Sequence, residues 1–401
     1  MRLTHLTALG AGCIAVVALQ SLPPDGPARP EARTGSSQGV SADALGASRD
    51  PGAAFFLPLT ATGATVRTAA GPARVLEVPA QRTKPFSLLG VTWADPRVDL
   101  DGTVQARTRN SRSGQWSGWL QVSGGSDDAP DIGSTERAAP GARGGTAPLW
   151  AGPSDGVQVR VLPGRSPLPT GLRVDLVDPG TGTQSSVEPR VLPEVGPGPL
   201  GRRLTRREYT ADRPAIVTRA GWKADESLIK GSTPEYTGTV KVVFVHHTAT
   251  GNDYDCAEAD ALIRSIYRYH VQSNGWRDIG YNFLVDKCGT LYEGRSGGVA
   301  RPVMGAHTLG FNSDSTGIAA LGTFSDGETP VKMLEAIARL AAWKLGLGGR
   351  DPLGSAVLGS KQTTLRAISG HRDALATQCP GNALYAELPQ IRSEAAELQG
   401  R

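Results

Sequence analysis

The sequence predicts an α/β domain, a mixed central sheet flanked by helices, preceded by an all-β domain of sandwich type. Three observations carry that expectation. From near Phe55 to about Asp178, short apolar-polar alternations such as Val157-Gln-Val-Arg-Val161 and Leu172-Arg-Val-Asp-Leu176 recur between clusters of Gly, Pro and Asp, the two-residue period of half-buried strands. After Pro214 the pattern changes to short, nearly continuous apolar runs alternating with longer stretches of helical spacing, as strand-helix order requires. The 401 residues also exceed what a single hydrophobic core usually supports.

Taken in order, Arg2, the apolar run from Leu6 to Leu19 and then Ser21-Leu-Pro-Pro24 have the anatomy of a secretory signal peptide, placed over residues 1–28. The run falls short of the roughly 20 residues needed to span a bilayer, and no later run is longer. A secreted or cell-wall-associated protein with no stable membrane span after cleavage is expected. Residues 29–50, rich in Pro, Gly, Ser, Ala and Arg, read as a flexible lead-in.

The β domain is expected over 51–178. Val104 to Arg109, the turn residues 110–114, and Trp116 to Val122 read as a hairpin within it. Its tryptophans, Trp93, Trp116, Trp119 and Trp150, could form a sugar-stacking platform, but core packing is the favoured reading because large aromatics normally fill a small sandwich core. Residues 179–212, with repeated Pro and Gly and the basic run Arg202-Arg-Leu-Thr-Arg-Arg207, read as an exposed linker.

The α/β domain follows over 213–395. Lys241 to Val245 is a buried strand, and Asp255 to about His270 a helix. Ile279 to Val285 and Leu291 to Glu293 are strands around a turn at Lys287-Cys-Gly289, and Gly317 to Leu321 is another strand. Thr329 and Pro330 supply the cap and first turn of a helix that runs to about Leu345 and ends at Gly346 and Gly348.

A net charge of +4 suits contact with an anionic cell surface. It is too small and too evenly spread for nucleic acid, and no basic run interleaved with aromatics supports such a partner. Oligomeric state leaves no mark in the pattern. Removing Cys13 with the signal leaves Cys256, Cys288 and Cys379, an odd number in an oxidising compartment, so two are expected to pair and the third to be reactive or metal-bound. Apart from His5, all histidines lie beyond residue 245, which concentrates the chemistry in the α/β domain.

There, His246 at the end of a buried strand, His371 in Ser369-Gly-His-Arg-Asp373 and Cys379 in Thr377-Gln-Cys-Pro-Gly381 point to zinc. Two imidazoles and a thiolate are ordinary zinc ligands, and a three-ligand set leaves the fourth position open for water, as in catalytic sites. Side chains alternate across a strand, so only one of His246 and His247 can enter such a site.

This domain resembles the peptidoglycan recognition protein and type-2 amidase family across residues 213–395. The resemblance rests on Thr218-Arg-Ala-Gly-Trp222, Val245-His-His-Thr248, Gly275-Trp-Arg-Asp-Ile-Gly-Tyr-Asn-Phe-Leu-Val285, Tyr292-Glu-Gly-Arg295, Gly305-Ala-His307, Gly370-His-Arg-Asp373 and Thr377-Gln-Cys-Pro-Gly381, in that order. It implies a secreted enzyme of bacterial type with zinc on His246, His371 and Cys379, and with Tyr281 and Thr377 stabilising the tetrahedral intermediate. His270, His307 and Asn312 would line the muramyl-peptide cleft, although His270 could instead cap its helix and Asn312 could serve its own turn. The resemblance also implies a Cys256–Cys288 disulfide. The activity it implies is hydrolysis of the amide between N-acetylmuramic acid and L-alanine in peptidoglycan. The rival is a recognition module that grips the polymer without cutting it, whose members typically lack the cysteine ligand. A zinc peptidase cutting within the stem peptide is a third reading, for which no HExxH helix is present.

Overall fold

The structure, a computed structural model, describes residues 51–68, 71–125, 127–182, 190–195, 209–231 and 233–401. The expected signal peptide, the lead-in and most of the linker, including its basic run, lie outside them.

Eight antiparallel strands come first: β1 (Ala53–Pro58), β2 (Thr60–Thr68), β3 (Gly71–Trp93), β4 (Gly102–Asn110), β5 (Leu120–Val122), β6 (Gly144–Gly145), β7 (Leu149–Pro163) and β8 (Arg173–Asp178). The predicted alternation is visible along β4, where Val104, Ala106 and Thr108 are buried between half-exposed neighbours. The expected hairpin forms, with Val104 opposite Val122 and Ala106 opposite Leu120. The strands join in one network, β1-β8-β3-β7-β4-β5 with β2 and β6 also on β3, instead of two separate sheets. Register shifts along β3 between Val78 and Leu88 bend this long strand, as bulges do. It therefore serves β2 at one end and β8 at the other.

The tryptophans divide. Trp93 is fully buried in the core of the β domain. Trp116 and Trp119 are not core residues: Trp116 is exposed, Arg107 covers both rings, and Arg160 sits 4.2 Å from the centre of Trp119. A guanidinium stacked on indole lets the aromatic stay at the surface. Trp150 is buried, but in a different cluster.

The second sheet contains β9 (Val191–Leu192), β10 (Ile216–Val217), β11 (Val242–His247), β12 (Phe283–Val285), β13 (Leu291–Glu293) and β14 (Ser315–Ala320). A two-stranded ribbon, β15 (Ser355–Leu358) and β16 (Thr363–Arg366), precedes the sheet's last strand, β17 (Ile368–Gly370). Strand order is β17-β11-β14-β12-β13-β10-β9, parallel at its centre and antiparallel between β12 and β13. The edge strand β9 arises from the segment expected to be exposed linker: Leu192 pairs with Ile216.

The helices are α1 (Ala259–Arg268), α2 (Val331–Gly346), α3 (Asn382–Ala386) and α4 (Leu388–Leu398). Before α1, Asp255 caps a single turn, Cys256–Glu258, and after it the chain widens into a five-residue turn, Tyr269–Ser273. Pro330, expected in the first turn, is instead the N-cap of α2, so the helix starts one residue later than expected. The Cys256–Cys288 disulfide is present and ties that first turn to the β12–β13 connection.

The sheet's two faces bury different partners. Val243, Val245, Phe283, Val285, Ile318 and Ala320 pack against α2 and α4. On the opposite face Leu284 and Ala319 meet α1, and the same cluster takes in Leu88, Trp150 and Val177 of the β domain. The Trp150 backbone N–H donates to Thr250 O at 3.1 Å, and the Tyr269 hydroxyl donates to Thr146 O at 3.1 Å. Gly90 permits this approach, since a Cβ there would collide with the Tyr269 ring. Ser48–Arg401 consequently form one compact unit. Among the described residues, no helix is long and apolar enough to cross a membrane.

Candidate metal centre

Strand parity decides which of the two adjacent histidines is available. Val243 and Val245 of β11 face α2, whereas Val242 and Phe244 belong to a cluster on the other side, so His246 emerges away from α2. At the carboxyl end of the strand it meets His371, from the short helical turn after β17, and Cys379, from the turn before α3. Their ligating atoms lie within 4.8 Å of one another, and all three residues are buried. His246 Nδ1 stands 3.7 Å from Cys379 Sγ. His247 stays outside this group, its Nδ1 accepting the Phe324 N–H at 3.3 Å, while its backbone N–H donates to Cys379 Sγ at 3.4 Å.

The set fits zinc. With Zn–N of about 2.0–2.1 Å and Zn–S of about 2.3 Å, tetrahedral ligand atoms stand about 3.3–3.6 Å apart, near the spacing found here. Both ring nitrogens of His371 are buried with no hydrogen-bond partner, a costly state unless a cation uses one of them. Burial lowers the pKa of His246 to about 3 and that of His371, also beside His246, to about 3. Both imidazoles are thus kept in the neutral, ligating form. Burial pushes the Cys379 thiol well up, with the Asp128 carboxylate adding to it; a cation among the three groups would reverse that shift.

Outer contacts brace the ligands. Thr308 Oγ1 lies 3.4 Å from His246 Nε2 and 2.9 Å from His307 Nδ1. Asn312 Oδ1 accepts the N–H groups of His307 and Thr308 at 2.7 and 3.0 Å. His307 and Asn312, expected to line a cleft, are fully buried and act in this structure as supports for His246. Asn312 reaches away from its own turn to do so.

His270 does not cap its helix either. Its Nδ1 accepts the Gly280 N–H at 3.1 Å, and its ring packs 4.4 Å from Trp276 and 5.7 Å from Tyr281, which fixes the turn presenting Tyr281. The Tyr281 ring lies 5.6 Å from that of His246. Thr377 Oγ1 accepts the Cys379 N–H at 3.4 Å, beside the ligand as its spacing implied.

Sequence reasoning missed one contributor altogether. Between β5 and β6 the chain leaves the β domain, and residues 127–143 run across the metal centre. Asp128 Oδ1 lies 3.3 Å from His246 Nδ1 and 3.5 Å from His371 Nδ1 and has no hydrogen-bond partner, while Oδ2 accepts the Tyr281 hydroxyl at 3.0 Å. The Asp127 carboxylate accepts a hydrogen bond from Thr377. Asn312 Nδ2 donates to Ala129 O at 2.9 Å, and Asp131 Oδ1 accepts the Gly310 N–H at 2.7 Å. Glu136 pairs with Arg295 at 2.8 and 3.0 Å and accepts the Arg277 N–H at 2.9 Å. A signal was available: the interval between β5 and β6 is too long for a hairpin turn, and it carries Asp127-Asp128-Ala-Pro-Asp131.

A cleft of about 360 Å³, lined by Asp127, Asp128, His247, His371, Thr377 and Cys379, borders one side of the centre. On the Tyr281 side, only about 40 Å³ remains between the 127–143 segment and His270, Trp276 and Tyr281.

Residues 236–382 match the N-acetylmuramoyl-L-alanine amidase family and residues 41–189 the Rv3811 N-terminal galactose-binding domain-like family. Peptidoglycan-recognition protein SC1a of Drosophila melanogaster is 30% identical over 185 residues, covering 46% of this chain and 90% of that protein. Human N-acetylmuramoyl-L-alanine amidase is 36% identical over 184 residues, covering 43% of this chain and 27% of that protein. The solved structure of Drosophila PGRP-LB is 29% identical, covering 43% of this chain and 91% of that one, with a TM-score of 0.36.

Proposed function

The chain belongs to the family of peptidoglycan-recognition proteins and N-acetylmuramoyl-L-alanine amidases, and from that premise we propose that it is a zinc-dependent amidase. Its reaction would be hydrolysis of the amide between the lactyl group of N-acetylmuramic acid and the first L-alanine of the peptidoglycan stem peptide. The observation that carries the reading is the buried convergence of His246, His371 and Cys379. A module that only grips the polymer needs groove residues and has no use for a buried thiol between two neutral imidazoles.

Zinc, when bound, supplies Lewis acidity that polarises a carbonyl and eases proton loss from water. The chain's own residues supply the rest. The backbone N–H of His247 holds Cys379 Sγ in place. The Tyr281 phenol stays protonated, because burial and then the charges of Asp128 and Cys379 raise its pKa well above the usual value. It can therefore donate a hydrogen bond to an oxygen that gains negative charge, a contribution on the order of 10²–10³ in rate. The Thr377 hydroxyl, beside Cys379, offers a second and weaker donor. The same reading gives residues 1–28 the task of export to the cell wall.

Product analysis tests the proposal. Muropeptides incubated with the zinc-loaded protein should yield lactyl-bearing glycan and peptides that begin with L-alanine. Intact glycopeptides, from the full chain and from Asp128→Ala alike, would favour a recognition module, and cleavage inside the peptide a peptidase; either contradicts the amidase reading.

A further inference from the structure

We propose that Asp128 is a fourth protein ligand of the metal, and that residues 127–143 are the resting occupant of the substrate groove, so that the β domain holds its own enzyme closed. The inference rests on the amidase reading for the nature of metal and substrate.

Geometry is the first support. The 3.3 and 3.5 Å separations of Asp128 Oδ1 from the two imidazole nitrogens match the edges of a zinc tetrahedron, about 3.3 Å for oxygen and nitrogen ligands. A buried carboxylate oxygen without a donor is costly, and Asp128 Oδ1 and His371 Nδ1 are both in that state. One cation between them satisfies both. Two His, one Cys and one Asp make four protein ligands, the arrangement of a closed site with no position left for water or substrate.

The segment also fits the groove group by group. Asp127 meets Thr377, Asp128 meets Tyr281, Ala129 and Asp131 meet Asn312 and Gly310, and Glu136 meets Arg295. Ala129 packs on Trp276 and Ala306. The 40 Å³ left on the Tyr281 side compares with the roughly 300–1,000 Å³ of ordinary ligand sites, so a muramyl peptide reaches Tyr281 only if the segment leaves, whatever the cleft on the Cys379 side admits. From Asp127 to Glu136 its hydrogen bonds to the α/β domain come from carboxylates and carbonyls that accept from donors there, the chemistry that a stem peptide's own carboxylates and amides can replace. Gly125 and Gly141, near its two ends, adopt positive φ and provide pivots that other residues would resist.

The test uses the full chain loaded with cobalt in place of zinc, and azide as the probe. Azide that reaches the metal changes the visible spectrum. A tethered carboxylate competes at millimolar or higher effective concentration, so wild type should need about tenfold or more azide than Asp128→Ala for the same change, and Asp128→Ala should hydrolyse muropeptides faster. Equal azide responses overturn the proposal. Should Asp128→Ala fail to fold, the isosteric Asp128→Asn is read in the same way. A difference in azide response without hydrolysis by either protein upholds the ligand and overturns the amidase reading; equal responses with equal hydrolysis do the reverse.

Discussion

The β domain touches the α/β domain in two ways. At one contact Leu88, Trp150 and Val177 merge with Trp222, Ile263 and Tyr267 in a single apolar cluster. At the other, Asp127, Asp128, Asp131 and Glu136 lean over the metal centre through hydrogen bonds and ion pairs. The first contact has nothing to exchange with water, so separating it exposes apolar area at about 25 cal/mol per Å². The second can be replaced bond for bond by a ligand, and a buried pair such as Glu136–Arg295 adds little net stability once desolvation is counted. One contact is a joint and the other a latch.

The largest effect should come from the centre beneath the latch. Cys379→Ser removes a ligand, where loss of outer support alone costs about 10–100-fold, so muropeptide hydrolysis should fall by more than about 100-fold with loss of zinc on metal analysis. Retained zinc and rate would break the account. At the joint, Trp150→Ala should lower stability by about 3–5 kcal/mol, read from the denaturation midpoint, and a negligible shift would show that the two domains do not share a core. Outside both contacts, replacing Cys256 and Cys288 together by Ser should cost about 3 kcal/mol without changing zinc content. The smallest change should be at the latch. Glu136→Gln keeps a hydrogen bond to Arg295 and should cost about 1–2 kcal/mol, yet raise the hydrolysis rate; a fall in rate would assign Glu136 to the open enzyme.

What could be read in the sequence were features with local cause. Strand alternation separates His246 from His247, and the structure places them on the two faces of β11. The disulfide and the mixed sheet followed from motif order. The long interval between β5 and β6 marks the segment that carries Asp128, but its partners, His246 and His371, lie far along the chain in another domain, and neither spacing nor periodicity encodes that contact. Motif position places His307 and Asn312 near the site but does not foretell that they brace His246 through Thr308. Trp116 and Trp119 escaped the core because arginines on neighbouring strands, not apolar residues, cover their rings.

The closed, four-ligand centre is tested most directly by X-ray diffraction from the zinc-loaded full chain across the zinc absorption edge. The expected result is one anomalous peak about 2.0–2.3 Å from His246, His371, Cys379 and Asp128. A peak held by three ligands with residues 127–143 withdrawn would contradict the latch, and no peak at these residues would contradict the centre itself.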